Sequence, residues 1–235
     1  MRAVTFLALL AVAPVAAAQT ANDTLVADVR TLAAATDNDA RFDALTALLK
    51  AHNLSYTVET FTLDKPPAAT PNAAADPRTR GRNGVVTLGK GRDTIVVGAH
   101  YDAKWINEKT LSKGAVDNGA SSVMLVHAAA ALKSQRLKSK VTFVWFDFEE
   151  SGLLGSAKYV EAHASDRITA MLNYDINGYG NTVIFGPPPG PLDPRLVASD
   201  GLWRVGGRDR TPQRKRAPGL VDLRWAILGL NVESL

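Results

Sequence analysis

The sequence predicts an α/β fold with a mostly parallel central sheet flanked by helices. Three observations carry that reading. The runs Thr94–Ala99, Val141–Asp147 and Ile168–Tyr174 are almost continuously apolar, as strands buried on both faces of a parallel sheet are. Each run leads directly into ionisable residues. Between the first two lies a stretch of small and apolar residues, Ala120–Leu132, that suits a crossover helix. At 235 residues with 46% hydrophobic content, the chain is expected to form one domain with a sizeable core.

The elements follow in order. Residues 1–18 combine Arg2, a short apolar run and the exit Ala16-Ala17-Ala18. This reads as a signal peptide cut after Ala18, and the expected folded domain is 19–235. The expected location is outside the cytoplasm, in a periplasm or secreted. The run is too short for a spanning helix, and no membrane span is expected in the mature chain. Asp23–Ala35 and Asp39–His52 show apolar residues at helical spacing, and Tyr56–Leu63 alternates like a strand. Asp64–Arg82, rich in Pro, Ala, Asn and Arg, reads as a surface loop. Gly84–Val97 is expected to form a hairpin turning near Gly89–Asp93. After Val141–Asp147 and the adjacent Glu149 and Glu150, Ser151-Gly152 is expected to open a helix.

Adjacent carboxylates at a central strand end repel each other beside an apolar core. In open α/β sheets that rim is also where ligands bind. His100 follows the first strand and Asp175 the third, while Asp117 lies in the loop that opens the helix. If the strands are parallel neighbours, His100, Asp117, Glu150 and Asp175 converge on one rim. One imidazole with several carboxylates suits Zn²⁺ or a similar divalent ion, and a shared carboxylate can begin a two-metal site. The chain has no cysteine, which excludes disulfides, thiolate ligands and cysteine nucleophiles.

GAHYDAK, GAVDNGASS, FDFEESGLLGSAKY and LNYDINGYG, in that order, resemble the M28 family of zinc-dependent exopeptidases (aminopeptidases). The resemblance covers about Arg80–Gly186 and implies a zinc-exopeptidase-like domain with two zinc ions in the complete family site. It implies that Asp117 bridges the ions, that His100 and Asp175 hold one, and that Glu150 holds the other. Glu149 would be the general base and Asp102 would orient His100. The residues alone leave the reverse assignment of Glu149 and Glu150 open. A cis Asp117–Asn118 bond is also implied. The implied function is an exported aminopeptidase acting on peptides with a free N-terminus. The alternatives are a glutaminyl cyclase-like enzyme of the same fold and a non-catalytic metal- or peptide-binding domain.

The family completes its second metal position with a His after the last core strand. The histidines here are His52, His100, His127 and His163, and none follows Asp175. The expectation is a chain lacking the family's C-terminal end, one tightly held zinc and little activity, with Asp222 as a candidate substitute ligand. Asp222–Leu235 resembles the segment leading into the final core strand.

The remaining features point elsewhere. His127 reads as a packed or half-exposed helix residue, and His163 as a helix C-terminus favoured by the dipole. Arg204–Arg216 carries six basic residues and Asp209. It lacks aromatic interleaving and reads as a solvated loop, so no nucleic-acid partner is expected. Ser121-Ser122 lack a nucleophile elbow and fit the first turn of the helix. No feature sets the oligomeric state.

Overall fold

The computed structural model describes residues 22–71 and 73–176, and the backbone alone of 183–186, 203–205 and 226–229. The signal-peptide reading, Asp222 and most of Arg204–Arg216 lie outside these residues.

Two helices come first: α1 over 22–33 and α2, Asn38–Ala51. Asp37 caps α2, its carboxylate accepting the Ala40 N–H at 2.7 Å. The strands are β1 (Thr57–Thr62), β2 (Arg80–Leu88), β3 (Thr94–His100), the short pair β4 (Trp105–Asn107) and β5 (Thr110–Leu111), β6 (Lys140–Phe146), β7 (Ile168–Tyr174), β8 (Val183–Gly186), β9 (Trp203–Val205) and β10 (Ala226–Gly229). Helix α3 spans Ala120–Leu132 and α4 spans Leu154–Ala162.

The main sheet runs β1-β2-β6-β3-β7-β10-β8-β9. Its centre, β6-β3-β7-β10, is parallel. The outer pairings are antiparallel, so the sheet is mixed, as expected.

Alternation within the central strands explains their apolar runs. Phe143 and Trp145 face one core with Val86, Ala99, Leu45, Leu49, Val123 and Val126. Val144 and Phe146 face a second core with Val85, Val96, Met171 and Tyr159. The first core lies beneath α1, α2 and α3, and the second beneath α4.

Three expectations need correction. The hairpin Gly84–Val97 does not form: β6 lies between β2 and β3. The turn exists, with Gly89 at φ 77°. A Cβ there would meet the Ser139 carbonyl oxygen at 2.5 Å, because the chain entering β6 runs against the turn. With two apolar faces to bury, β6 takes the inner position, and the local turn does not dictate pairing.

The loop Asp64–Arg82 is not wholly a surface loop. Arg80 already belongs to β2, and Asp76 is buried. The third correction concerns Ser151-Gly152, which lie in a turn; α4 starts at Leu154. Gly152 and Leu153 have positive φ, so the chain makes a left-handed step before the helix can begin.

Candidate metal centre

Register brings the rim together. His100 ends β3 opposite Phe146, the last residue of β6. Gly98 pairs with Asn173 of β7, so Asp175 emerges beside His100. Asp117 comes from the wide turn Ala115–Gly119, closed by the Gly119 N–H on the Gly114 carbonyl at 2.8 Å. The Asp117–Asn118 peptide bond is cis. Asn118 is buried and its amide donates to the Tyr174 carbonyl at 2.8 Å, tying this turn to the end of β7.

His100 Nε2 lies 3.2 Å from Asp117 Oδ1, 3.4 Å from Asp175 Oδ1 and 3.7 Å from Glu149 Oε2. His100, Glu149 and Asp175 each offer a ligand atom within 4.8 Å of the others. Glu150 faces the same space: Asp117 is its strongest charged neighbour. The predicted residues therefore meet, but Glu149, expected as the base, is drawn in as closely as the expected ligands.

Asp102 is buried and does two things. The His100 Nδ1 sits 3.1 Å from its backbone carbonyl and 3.3 Å from its carboxylate. The Asp102 carboxylate also accepts the Glu149 and Glu150 N–H groups at 3.1 and 3.2 Å. The resemblance assigned Asp102 to orienting the ring; its grip on the glutamate backbone was not expected.

The electrostatics call for positive charge. Burial pushes Glu150 up to about 7, helped by Asp117. Burial also raises Glu149, helped by Asp102, Asp175 and Asp117. Burial would lower His100, but Asp102, Asp117 and Asp175 raise it well above its usual value. Asp117 is held low, chiefly by His100. Among the described residues, nothing hydrogen-bonds His100 Nε2, Glu150 Oε1 or Asp175 Oδ1, although all three are buried. Buried polar atoms left without partners are costly. One imidazole and several carboxylates around a shared space fit a divalent cation.

Two arginines, the buried Arg41 and the half-buried Arg78, brace this rim, and sequence reasoning missed both. Arg41 of α2 donates to the carbonyls of Leu32, Lys113 and Gly114, and its Nε donates to Tyr101. It grips the residues next to His100 and the start of the Asp117 turn. Gly114 has φ 52°, and a Cβ there would meet Ala103 at 2.7 Å and the Arg41 guanidinium at 2.9 Å. Arg78 reaches both oxygens of the buried Asp147 at 3.1 and 2.9 Å, and Asp76 at 2.8 Å. Asp147 also accepts the Arg82 and Phe148 N–H groups, which sets the chain just before Glu149. Gly155 lets α4 pack there: a Cβ would meet the Asp147 carbonyl at 2.2 Å.

Residues 83–197 fit the model of Peptidase family M28. This segment belongs to that peptidase family. A protein named "Probable leucine aminopeptidase" from Arthroderma otae is 38% identical over 104 residues, 40% of this chain and 29% of that protein. One of the same name from Trichophyton verrucosum is 34% identical over 120 residues, 44% of this chain and 31% of that protein. The matched stretch thus spans less than a third of either relative. The fold is shared with a Zn-dependent exopeptidase from Parabacteroides distasonis (TM-score 0.56, 16% identity, 69% of this chain and 63% of that one). It is also shared with a glutaminyl cyclase from Bacteroides thetaiotaomicron (TM-score 0.53, 17% identity, 69% and 64%).

The other singled-out residues have local roles. Ser122 is buried and donates to the His100 carbonyl at 2.7 Å. His163 caps α4 and contacts Glu59 and Asp166 at 3.0 and 2.9 Å. His127 lies on α3 beside Asp28.

Proposed function

We propose that the M28 segment is the core of an exported, zinc-dependent aminopeptidase acting on peptides with a free N-terminus. The observation that carries this reading is the convergence of His100 Nε2 with the carboxylates of Asp117, Asp175 and Glu149 at one sheet rim, within a peptidase-family segment.

His100, Asp117 and Asp175 would hold a zinc ion, with Glu150 and the shared Asp117 turned toward a second. When bound, zinc supplies Lewis acidity at the scissile carbonyl and lowers the pKa of water at the site toward ~7. Glu149, with a side chain 29% exposed, would take a proton from the attacking water and return it to the leaving amine. Asp102 keeps the imidazole oriented and sets the backbone of both glutamates. Of the four histidines, only His100 reaches this rim; His52, His127 and His163 have partners elsewhere.

The test is hydrolysis of unblocked and N-acetylated dipeptide amides by the purified chain, after chelation and after zinc return. Zinc-dependent cleavage of unblocked substrates alone supports the reading. Equal cleavage of blocked substrates would exclude an aminopeptidase. Ring closure of N-terminal glutamine, without hydrolysis, would move the assignment to a cyclase. Export is tested by sequencing the N-terminus of protein recovered outside the cytoplasm, with Gln19 expected first.

A further inference from the structure

We infer that Asp28, His52 and His127 form a second cation site, separate from the rim, for one transition-metal dication of the zinc–nickel–copper class. These residues come from α1, the C-terminal cap of α2, and α3. His52 Nε2 and His127 Nε2 lie 3.0 and 2.7 Å from the same oxygen, Asp28 Oδ2. The two rings stand 4.5 Å apart between centroids, tilted by 60°.

Half of the chain's histidines thus meet one carboxylate oxygen. A tetrahedral ion with bonds of about 2.0–2.1 Å holds its ligand atoms about 3.3 Å apart. The observed spacings need only a few tenths of an ångström of opening to admit one. Two imidazoles and a carboxylate favour zinc, nickel or copper over magnesium and calcium, which take oxygen ligands. The side chains keep 16–26% exposure, so water can supply the fourth ligand and the ion can enter from solution.

The backbone around the site is fixed. The His52 N–H donates to Leu48 and its carbonyl accepts Lys133 Nζ, both at 2.9 Å. His127 lies seven residues into α3 from Ala120, about 10 Å along the axis from the rim end. An ion here would join the three helices whose layer carries Arg41 to the rim.

The two sites differ in imidazole count, which makes them separable. Copper(II) is titrated into the metal-free full chain and followed by electron paramagnetic resonance. A signal with coupling to two imidazole nitrogens is expected from this site, whereas the rim offers only His100. The His52→Gln/His127→Gln variant keeps amide donors toward Asp28 but replaces both imidazoles, and it should lose the two-nitrogen signal. Zinc melting curves supply a second readout in a His100→Ala/Asp175→Ala background. At 100-fold excess over Kd, zinc should raise Tm by roughly 5–10 °C, and adding the two glutamines should abolish the rise. Persistence of the two-nitrogen signal or of the zinc shift in the glutamine variants would overturn the proposal, as would absence of both in the unsubstituted triad. Failure of the rim to bind metal would leave these readouts intact.

Discussion

The rim and the arginine brace beside it both gather carboxylates and end in opposite conditions. In the brace, the acceptors of Asp76 and Asp147 meet donors from Arg78, Asn38, Arg82 and Phe148. At the rim, His100 Nε2, Glu150 Oε1 and Asp175 Oδ1 are buried without a hydrogen-bond partner among the described residues. Both lie at the same strand ends. The difference teaches that buried charge is not itself the mark of a functional site. The mark is buried charge left uncompensated by the protein, because the missing partner must come from outside.

The largest effect should come from breaking the brace. Arg78→Met leaves two buried carboxylates unpaired and should destabilise the protein by ~3–5 kcal/mol. A loss below ~1 kcal/mol in urea unfolding would show that the brace is not held by charge. Next, Glu149→Gln should cut aminopeptidase turnover by at least ~10² while sparing metal content. Glu150→Gln should instead lower zinc occupancy measured by metal analysis. The reverse pattern would exchange their roles, an outcome to which the closeness of Glu149 to His100 gives weight.

Arg41→Met should have a smaller effect on stability, ~1–3 kcal/mol. Its partners are backbone carbonyls, so no opposite charge is stranded. Burial already lowers Arg41 to about 10, with Asp102, Asp117 and Glu150 pulling the other way. The variant should weaken zinc binding at the rim because the Gly114 turn loses its anchor. Unchanged zinc affinity would limit Arg41 to a folding role.

The smallest effect concerns His163, outside both regions. Burial would lower its pKa, but Asp166 and Glu59 outweigh this and raise it. A raised His pKa adds stability fully present below the unfolded value near ~6.5 and lost as pH climbs through the folded value. His163→Ala should therefore cost more stability at pH 5.5 than at pH 9. The difference should stay under ~1 kcal/mol because these groups are partly exposed and screened. A cost that grows with pH would reverse the assigned sign.

Much of the rim was legible from sequence because each residue sits at the boundary of a local pattern. The run ending at His100 alternates between two cores, the run before Glu149 does the same, and Asp117 precedes a helix of small residues. Period and punctuation locate such residues without knowledge of their partners. Glu149 against Glu150 was not legible: neighbours in sequence carry the same pattern, and only side-chain placement separates them.

The sequence by itself determined the strands, the helix after Asp117 and the set of acids at the strand ends, since these follow from side-chain periodicity within a few residues. Tertiary structure alone decided that β6 separates β2 from β3, because two apolar faces require an inner place in the sheet. It alone joined Arg41 to Gly114 and Arg78 to Asp147, 73 and 69 residues apart. It also brought His127 to Asp28 across 99 residues. Such pairs leave no local period to read, for their energy comes from burying a charge or polar group beside a partner that only the folded chain supplies.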